Sequence, residues 1–507
     1  MRSAITARQQ RCFAPGMLAL MTLTILLAAT EPAHAIPVFA RKYQTACATC
    51  HAGFPKLNGV GLAFKMNGYR FSQDDEDKVK QPPLQLGNDS YRDIFPNAIL
   101  PSSIPQFPPI AFELQQLMTT NMANAKGVPA SGPSPDFNFP TQVNLLSGGT
   151  LTKNISFWAN GGLAQGGTGP GTTWDPYVER AFLIVNNMFS PDQEEDENGM
   201  HLAPAGLVLP RHFLNLKVGQ FDPYVIAPYA SNYRSVTITA RLTDTLTVGS
   251  NSFSFNNPGV RGVEGYGFFR NYTSWAFGVC DGGSTQQGPS GVDSHKDMYA
   301  RLGHKWWGIP LDGEVVATRK AQPMRTTDVR GQNPDNACDL EEDDPTPWLD
   351  YYRQTQFETG IFGYLGRNDV SPLNNPFLFT SGTTGMINQD NFDRVGADFQ
   401  WQHQDLHILG TYIYGQDRDP GTGFALSFNS WFVEANYYFK PWIIGYARYE
   451  ELQFMQPGVT ANNIQRGVPG VAFYPILNLA VRTEFVIDAS GKGTTPNQFL
   501  IMADYAF

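Results

Sequence analysis

Beyond about residue 108, apolar side chains recur at every second position, and this period most restricts what the chain can become. In 394–401, Val395, Ala397, Phe399 and Trp401 alternate with Arg394, Gly396, Asp398 and Gln400. After a short turn at His403–Asp405, Leu406, Ile408, Gly410, Tyr412 and Tyr414 alternate with His407, Leu409, Thr411 and Ile413. The same pattern sets Trp431, Val433, Ala435 and Tyr437 against Phe432, Glu434, Asn436 and Tyr438, and it returns in 479–488. Such alternation gives each strand one apolar and one polar face. The 49 Gly, 37 Pro and 13% aromatic residues also fit strands and turns better than helical bundles. No stretch of 18 apolar residues follows the N-terminus, which excludes a helical membrane protein. A soluble β-sandwich or a transmembrane barrel remains.

The placement of aromatics and charges decides between them. One face carries Trp and Tyr near strand ends, as an aromatic girdle does. The other carries Arg and Glu, including the inward carboxylates Asp398, Glu434, Glu484 and Asp504, which suits a wet lumen better than a dry core. These four carboxylates either bind iron or simply line a pore. Short turns at Thr152–Asn154, Phe269–Tyr272 and Lys440–Pro441 alternate with long polar loops. The last strand places Phe499, Ile501, Ala503, Tyr505 and Phe507 on one side, and a terminal aromatic there resembles the assembly signal of bacterial outer-membrane barrels. The reading is a mostly β chain with a roughly 16-stranded transmembrane β-barrel over 108–507. The region 320–391 does not settle, because one strand near Tyr351–Phe362 breaks the up–down parity.

The N-terminus fixes the compartment. Arg2, Arg8 and Arg11 precede an apolar run from about Met17 to Ala29, and Ala33-His34-Ala35 supplies the small residues of a cleavage site. Residues 1–35 read as a secretory signal, with a membrane anchor as the alternative. They hold three Arg and one Glu, so cleavage takes the net charge from −10 to −12. An acidic chain with 16% charged residues is a poor nucleic-acid binder. Five cysteines in 507 residues exclude a disulfide scaffold. Residues 36–80 form a small unit in which Asn58 caps a helix from about Gly59 to Asn67, ended by Gly68. Its Val60, Leu62, Phe64 and Met66 are expected to line one side of a cofactor. Asp74-Asp75-Glu76-Asp77 reads as solvated loop, and 81–107 as a proline-rich linker.

The chemistry lies in Cys47-Ala48-Thr49-Cys50-His51. Two thiols at this spacing bond the vinyl groups of a haem, and the adjacent imidazole meets the iron. Zinc needs two further ligands, and a thioredoxin-like pair needs a βαβ context that is missing. No GxSxG, HExxH, Walker A or dinucleotide motif appears in a coherent context. A single covalent haem c is therefore expected, held by Cys47, Cys50 and His51. Met66 is the one Met between the signal and Met118 and is a possible sixth iron ligand; a packing role, a ligand from the barrel, or an open site are the alternatives. Cys280 and Cys338 border polar loops and are a plausible disulfide in an oxidising compartment. The acidic runs Asp192–Glu197 and Asp339–Asp344 gather cations or are solvated loops.

The run Cys-Ala-Thr-Cys-His-Ala-Gly-Phe-Pro-Lys-Leu-Asn, with Ala63-Phe64-Lys65-Met66-Asn67-Gly68-Tyr69 after it, resembles the fused monohaem cytochrome–porins of the outer membrane. The likeness covers about 35 residues in motif and the mature chain in layout. It implies an outer-membrane protein, embedded in lipid, that takes electrons from extracellular iron(II). One haem then passes them to a periplasmic cytochrome or copper protein, leaving iron(III) outside. The alternatives are a porin-like channel with a haem plug or sensor, and an outward electron conduit.

Overall fold

The computed structural model describes residues 38–45, 47–71, 75, 78–80, 83–85, 103–105, 109–122, 135–152, 154–166, 173–190, 209–224, 236–248, 251–254, 259–281, 296–313, 355–370, 388–418, 425–455, 463–476, 478–489 and 497–506. The expected signal segment, Phe507, Cys338 and both acidic runs at 192–197 and 339–344 lie outside them.

Sixteen antiparallel strands close into a barrel. In chain order they are β1 (Ile110–Met122), β2 (Asp136–Thr152), β3 (Ile155–Gly166), β4 (Thr173–Val185), β5 (Asn215–Phe221), β6 (Val260–Phe269), β7 (Thr273–Cys280) and β8 (Asp297–Trp307). The second half comprises β9 (Gln356–Val370), β10 (Asn388–His403), β11 (Leu406–Arg418), β12 (Ala425–Lys440), β13 (Ile443–Phe454), β14 (Ile464–Ile476), β15 (Leu479–Asp488) and β16 (Asn497–Ala506). Closure is made by β16 on β1, with Ala506 opposite Glu113 and Asn497 opposite Met122. The unsettled region contains β9, which pairs with β8 on one side and β10 on the other, so the parity holds.

Alternation sets the faces. Val395 is 53% and Ile361 61% exposed, whereas Arg394 and Glu434 on the other face are 1% exposed. The exposed aromatics Tyr272, Trp306, Phe439 and Trp442 sit beside the short turns and form one girdle. Connections β2–β3, β6–β7, β10–β11, β12–β13 and β14–β15 leave the barrel at this same end, beside the start of β1 and the end of β16.

The inner face departs from the expected wet pore. Its carboxylates are buried and partnered. Asp398 holds the Arg301 guanidinium through both oxygens, one contact at 2.9 Å. Asp504 accepts from Arg482 at 2.8 Å, and Asp417 lies 2.5 Å from Arg394. Glu434 accepts from Asn436 at 3.1 Å and lies 3.6 Å from Arg241. Glu484 accepts the backbone N–H groups of Ile238 and Thr239 at 2.7 and 3.0 Å. None of the four carboxylates is a bare pore-lining group, because an unpaired charge at that depth is costly.

Two pieces of chain fill the interior. Residues 236–244, from the long connection between β5 and β6, lie against β12–β15. Besides Glu484, Glu450 accepts from Leu242 N at 2.8 Å, and Arg448 donates to Thr237 Oγ1 at 2.8 Å and Thr239 O at 2.9 Å. The second piece is the N-terminal segment, with helices α1 (Val38–Tyr43) and α2 (Gly59–Met66). Between them, a 3-10 turn at Cys47–Thr49 leads into His51–Gly53, which pairs with Lys56–Leu57. Asn58 caps α2 as expected: its Oδ1 accepts from Gly61 N at 3.0 Å, while its Nδ2 donates to Thr49 O at 3.0 Å. Gly68 follows the helix with φ +74°, a conformation that suits glycine. Asp75 is not a solvated loop residue. It accepts from Phe71 N at 2.7 Å and Tyr43 Oη at 2.8 Å, and it lies 3.4 Å from Lys42 Nζ. Inside the expected linker, Pro83–Gln85 pairs with Ser103–Pro105.

Candidate haem site

Tyr43, Phe64, Met66 and Tyr69 of the N-terminal segment share one apolar core with inward barrel residues such as Phe182, Phe221 and Tyr266. Packing thus seats the segment in the barrel at the end that carries the short turns. Arg41 donates to Ile110 O at the first residue of β1, and Lys42 Nζ donates to Thr150 Oγ1 at 3.0 Å near the end of β2.

A cavity opens between this segment and the wall. Its volume is about 210 Å³. Cys47, Cys50 and His51 all line it, together with Phe39, Leu57, Phe64 and Trp158. Glu113, Asn160, Arg180 and Asn478 add a polar margin. Neither Cys47 nor Cys50 is in a disulfide. Burial pushes the Cys50 thiol up to about 12, with Cys47 adding to the shift, so the pair is poorly suited to thiolate chemistry. His51 Nδ1 lies 3.1 Å from Pro55 O, the contact that fixes an imidazole's orientation when its other nitrogen meets a metal. Among the described residues no group of three His, Cys, Asp or Glu gathers as a metal site. Two unpaired thiols, an oriented imidazole and apolar walls together fit a covalently held macrocycle.

The structure brings Cys47, Cys50 and His51 together and leaves Met66 apart. Met66 does not line this cavity; it faces Tyr224, Lys217 and Lys305 in two smaller clefts. The expectation that Val60, Leu62, Phe64 and Met66 share one side is corrected for the same reason. A spacing of two residues turns a helix by about 200°, so Val60 and Phe64 lie on one side and Leu62 and Met66 on the other. Of the four, Phe64 alone reaches the cavity. Cys280 is buried, 3.6 Å from Tyr364 Oη, and its expected disulfide partner Cys338 is outside the described residues.

Sequence reasoning missed Lys56. Its ammonium is buried without a hydrogen-bond partner among the described residues, near Glu434. Burial lowers its pKa to about 7; Glu434 opposes the shift and Arg241 adds to it. In the unfolded chain the value is about 10.4. Between those values the unfolded state binds more protons, so this residue makes stability rise with pH from about 7 to about 10. Below about 7 the buried charge weighs fully against folding. Lys56→Met is therefore expected to raise the melting temperature by about 2 °C or more at pH 6 and by much less at pH 10. Melts followed by circular dichroism at both pH values check this; an equal gain at both contradicts the buried charge.

No family model and no curated protein sequence matches this chain. Solved structures similar to it include the in-vitro folded OmpT of Vibrio cholerae, with 11% identity and a TM-score of 0.45 over 78% of this chain and 98% of that one. The outer-membrane channel DcaP of Acinetobacter baumannii has 10% identity and a TM-score of 0.46 over 78% and 96%. An anion-selective porin from Comamonas acidovorans has 8% identity and a TM-score of 0.45 over 78% and 98%. The barrel assignment stands on the chain's own strand pairing.

Proposed function

We propose that this chain is an outer-membrane c-type cytochrome of the fused monohaem cytochrome–porin kind. It takes electrons from extracellular iron(II) and passes them to a periplasmic cytochrome or copper protein. The observation that carries the reading is the cavity in which Cys47, Cys50 and His51 meet the wall of a closed barrel. An outward apolar band with an aromatic girdle and no open sheet edge supports a place in the outer membrane. A haem bound there supplies one-electron chemistry through its iron. The chain's own residues do the rest. The two thiols tether, the Pro55 carbonyl holds the His51 ring, and Phe39, Phe64 and Trp158 keep water from the site. Met66 is a packing residue in this reading.

Because the described residues of the N-terminal segment and residues 236–244 occupy the lumen, a conduit for electrons is favoured over a channel for solutes. Inward flow rests on the resemblance at Cys47–Tyr69. A spectroelectrochemical titration tests it. One single-electron wave on the positive side of the hydrogen scale is expected, whereas a strongly negative midpoint supports outward flow.

A further inference from the structure

The cavity lies beside Asn478 of the β14–β15 turn and Ala506 at the end of β16. It is therefore close to the short-turn end, while an extracellular donor arrives at the end with the long loops. The hydrocarbon layer alone is about 30 Å thick, and tunnelling falls off exponentially with distance. Something between the two ends has to carry the electron.

Buried aromatic rings run through that gap. Trp158, on the cavity wall, stacks on Tyr69 at 4.9 Å between ring centres, and Tyr69 is 6.3 Å from Phe182. The Lys217 ammonium joins the next rings, 4.9 Å from Phe221 and 5.0 Å from Tyr266. Glu264, two residues before Tyr266, accepts from Tyr299 Oη at 2.5 Å. Tyr299 stacks on Tyr364 at 5.9 Å, and Tyr364 on Phe392 at 6.0 Å. The Arg394 guanidinium then sits between Phe392 and Phe428, 4.9 and 4.7 Å from their centres. Phe428 is 6.4 Å from Phe454, the last residue of β13, at the long-loop end.

Glycines allow the stacking. A Cβ at Gly278 would lie 2.1 Å from the Tyr299 ring, and one at Gly366 would lie 2.0 Å from Phe392. Packing alone does not account for the phenols. Phe fills the same space without burying a hydroxyl beside a carboxylate, an arrangement that costs desolvation. Yet Tyr299 donates to Glu264, and Tyr364 donates to Asp297 at 2.8 Å.

We infer that this file of rings, with Tyr299 and Tyr364 as its redox stations, is the electron route between the long-loop mouth and the cavity. The inference rests on the reading that the chain passes electrons across the barrel. Each phenol that loses an electron hands its proton to its carboxylate, Glu264 or Asp297, and takes both back when the next electron arrives. No atom is consumed. The donor outside is oxidised by one electron, and the acceptor in the cavity is reduced by one.

The test uses the haem-loaded full chain with Met455→Cys and Cys338→Ser. Met455 is 49% exposed and follows Phe454, so a ruthenium tris-bipyridyl photo-oxidant bonded there sits at the mouth of the file. After a flash, the reduced protein is expected to show a transient tyrosyl signal by absorption and electron paramagnetic resonance, followed by bleaching of the reduced haem band. Tyr299→Leu with Tyr364→Leu should slow that bleaching at least tenfold and abolish the tyrosyl signal. Should the Leu pair fail to fold, Tyr299→Phe with Tyr364→Phe keeps the packing and should show the same loss. Unchanged kinetics in a folded double variant would overturn the inference, as would the lack of any tyrosyl signal in the parent. Because light supplies the oxidant, failure of iron(II) as a donor would sink the function proposed above without altering this result.

Discussion

Replacing Cys47 and Cys50 together with Ala is expected to remove covalent haem completely. A denaturing gel stained for haem peroxidase activity should show a strong band for the native chain and none for the double variant. Each single variant keeps one bond and an intermediate signal. The variant should still form the barrel, because all sixteen strands pair without help from the N-terminal segment. Unboiled protein should therefore still migrate differently from boiled protein. The wall at Phe39, Phe64 and Trp158 would then face an unoccupied space, so loosening is expected there and not in β9–β13. His51→Ala should keep the covalent attachment and shift the Soret band. Haem stain retained by the double variant contradicts the attachment site outright.

The second large effect concerns residues 236–244. The Glu484 carboxylate accepts two backbone N–H groups from this stretch and lies 3.2 Å from Tyr446 Oη. A hydrogen bond to a charged group contributes about 1.5–3 kcal/mol. Glu484→Ala also leaves Ile238 N and Thr239 N without their acceptors and weakens the seat of Arg448. Residues 236–244 should then leave the wall. In a planar bilayer the native protein is expected to conduct poorly, and the variant to conduct at least severalfold more. Trypsin should cut at Arg241 only in the variant. Glu484→Gln, which keeps one acceptor, should fall between. Equal conductance and equal resistance to trypsin contradict the anchoring role.

Much of the barrel was legible because strand alternation is a local signal. Val395 and Ala397 point out and Arg394 and Asp398 point in, as their order along β10 requires. The turns at His403–Asp405, Phe269–Tyr272 and Lys440–Pro441 were legible for the same reason. The grouping of Cys47, Cys50 and His51 at one cavity was legible because they lie within five residues. What was not legible depends on residues far apart in sequence. A string of inward Arg and Glu residues reads alike whether water or protein lies beyond it. Only the fold shows that Glu484 meets Ile238 and Thr239, 246 and 245 positions away. Asp75 read as solvated because Tyr43, its partner, is 32 residues distant. Placing Val60, Leu62, Phe64 and Met66 on one side came from counting along a helix as if it were a strand, and the turn of α2 sends the Met66 side chain away from His51's cavity. Lys56 carried no signal at all, because its meaning comes from the depth at which β12 surrounds it.

The central claim is that iron(II) outside the barrel delivers electrons to the site framed by Cys47, Cys50 and His51. The most direct measurement is anaerobic stopped-flow mixing of iron(II) with the oxidised, haem-loaded protein, followed at the Soret band from acid to neutral pH. The account predicts rapid reduction by iron(II), none by the redox-inert zinc(II) ion, and reduction by iron(II) in whole cells with iron(III) left outside. A haem that stays oxidised in iron(II) at every pH, while small periplasmic donors reduce it, would contradict it.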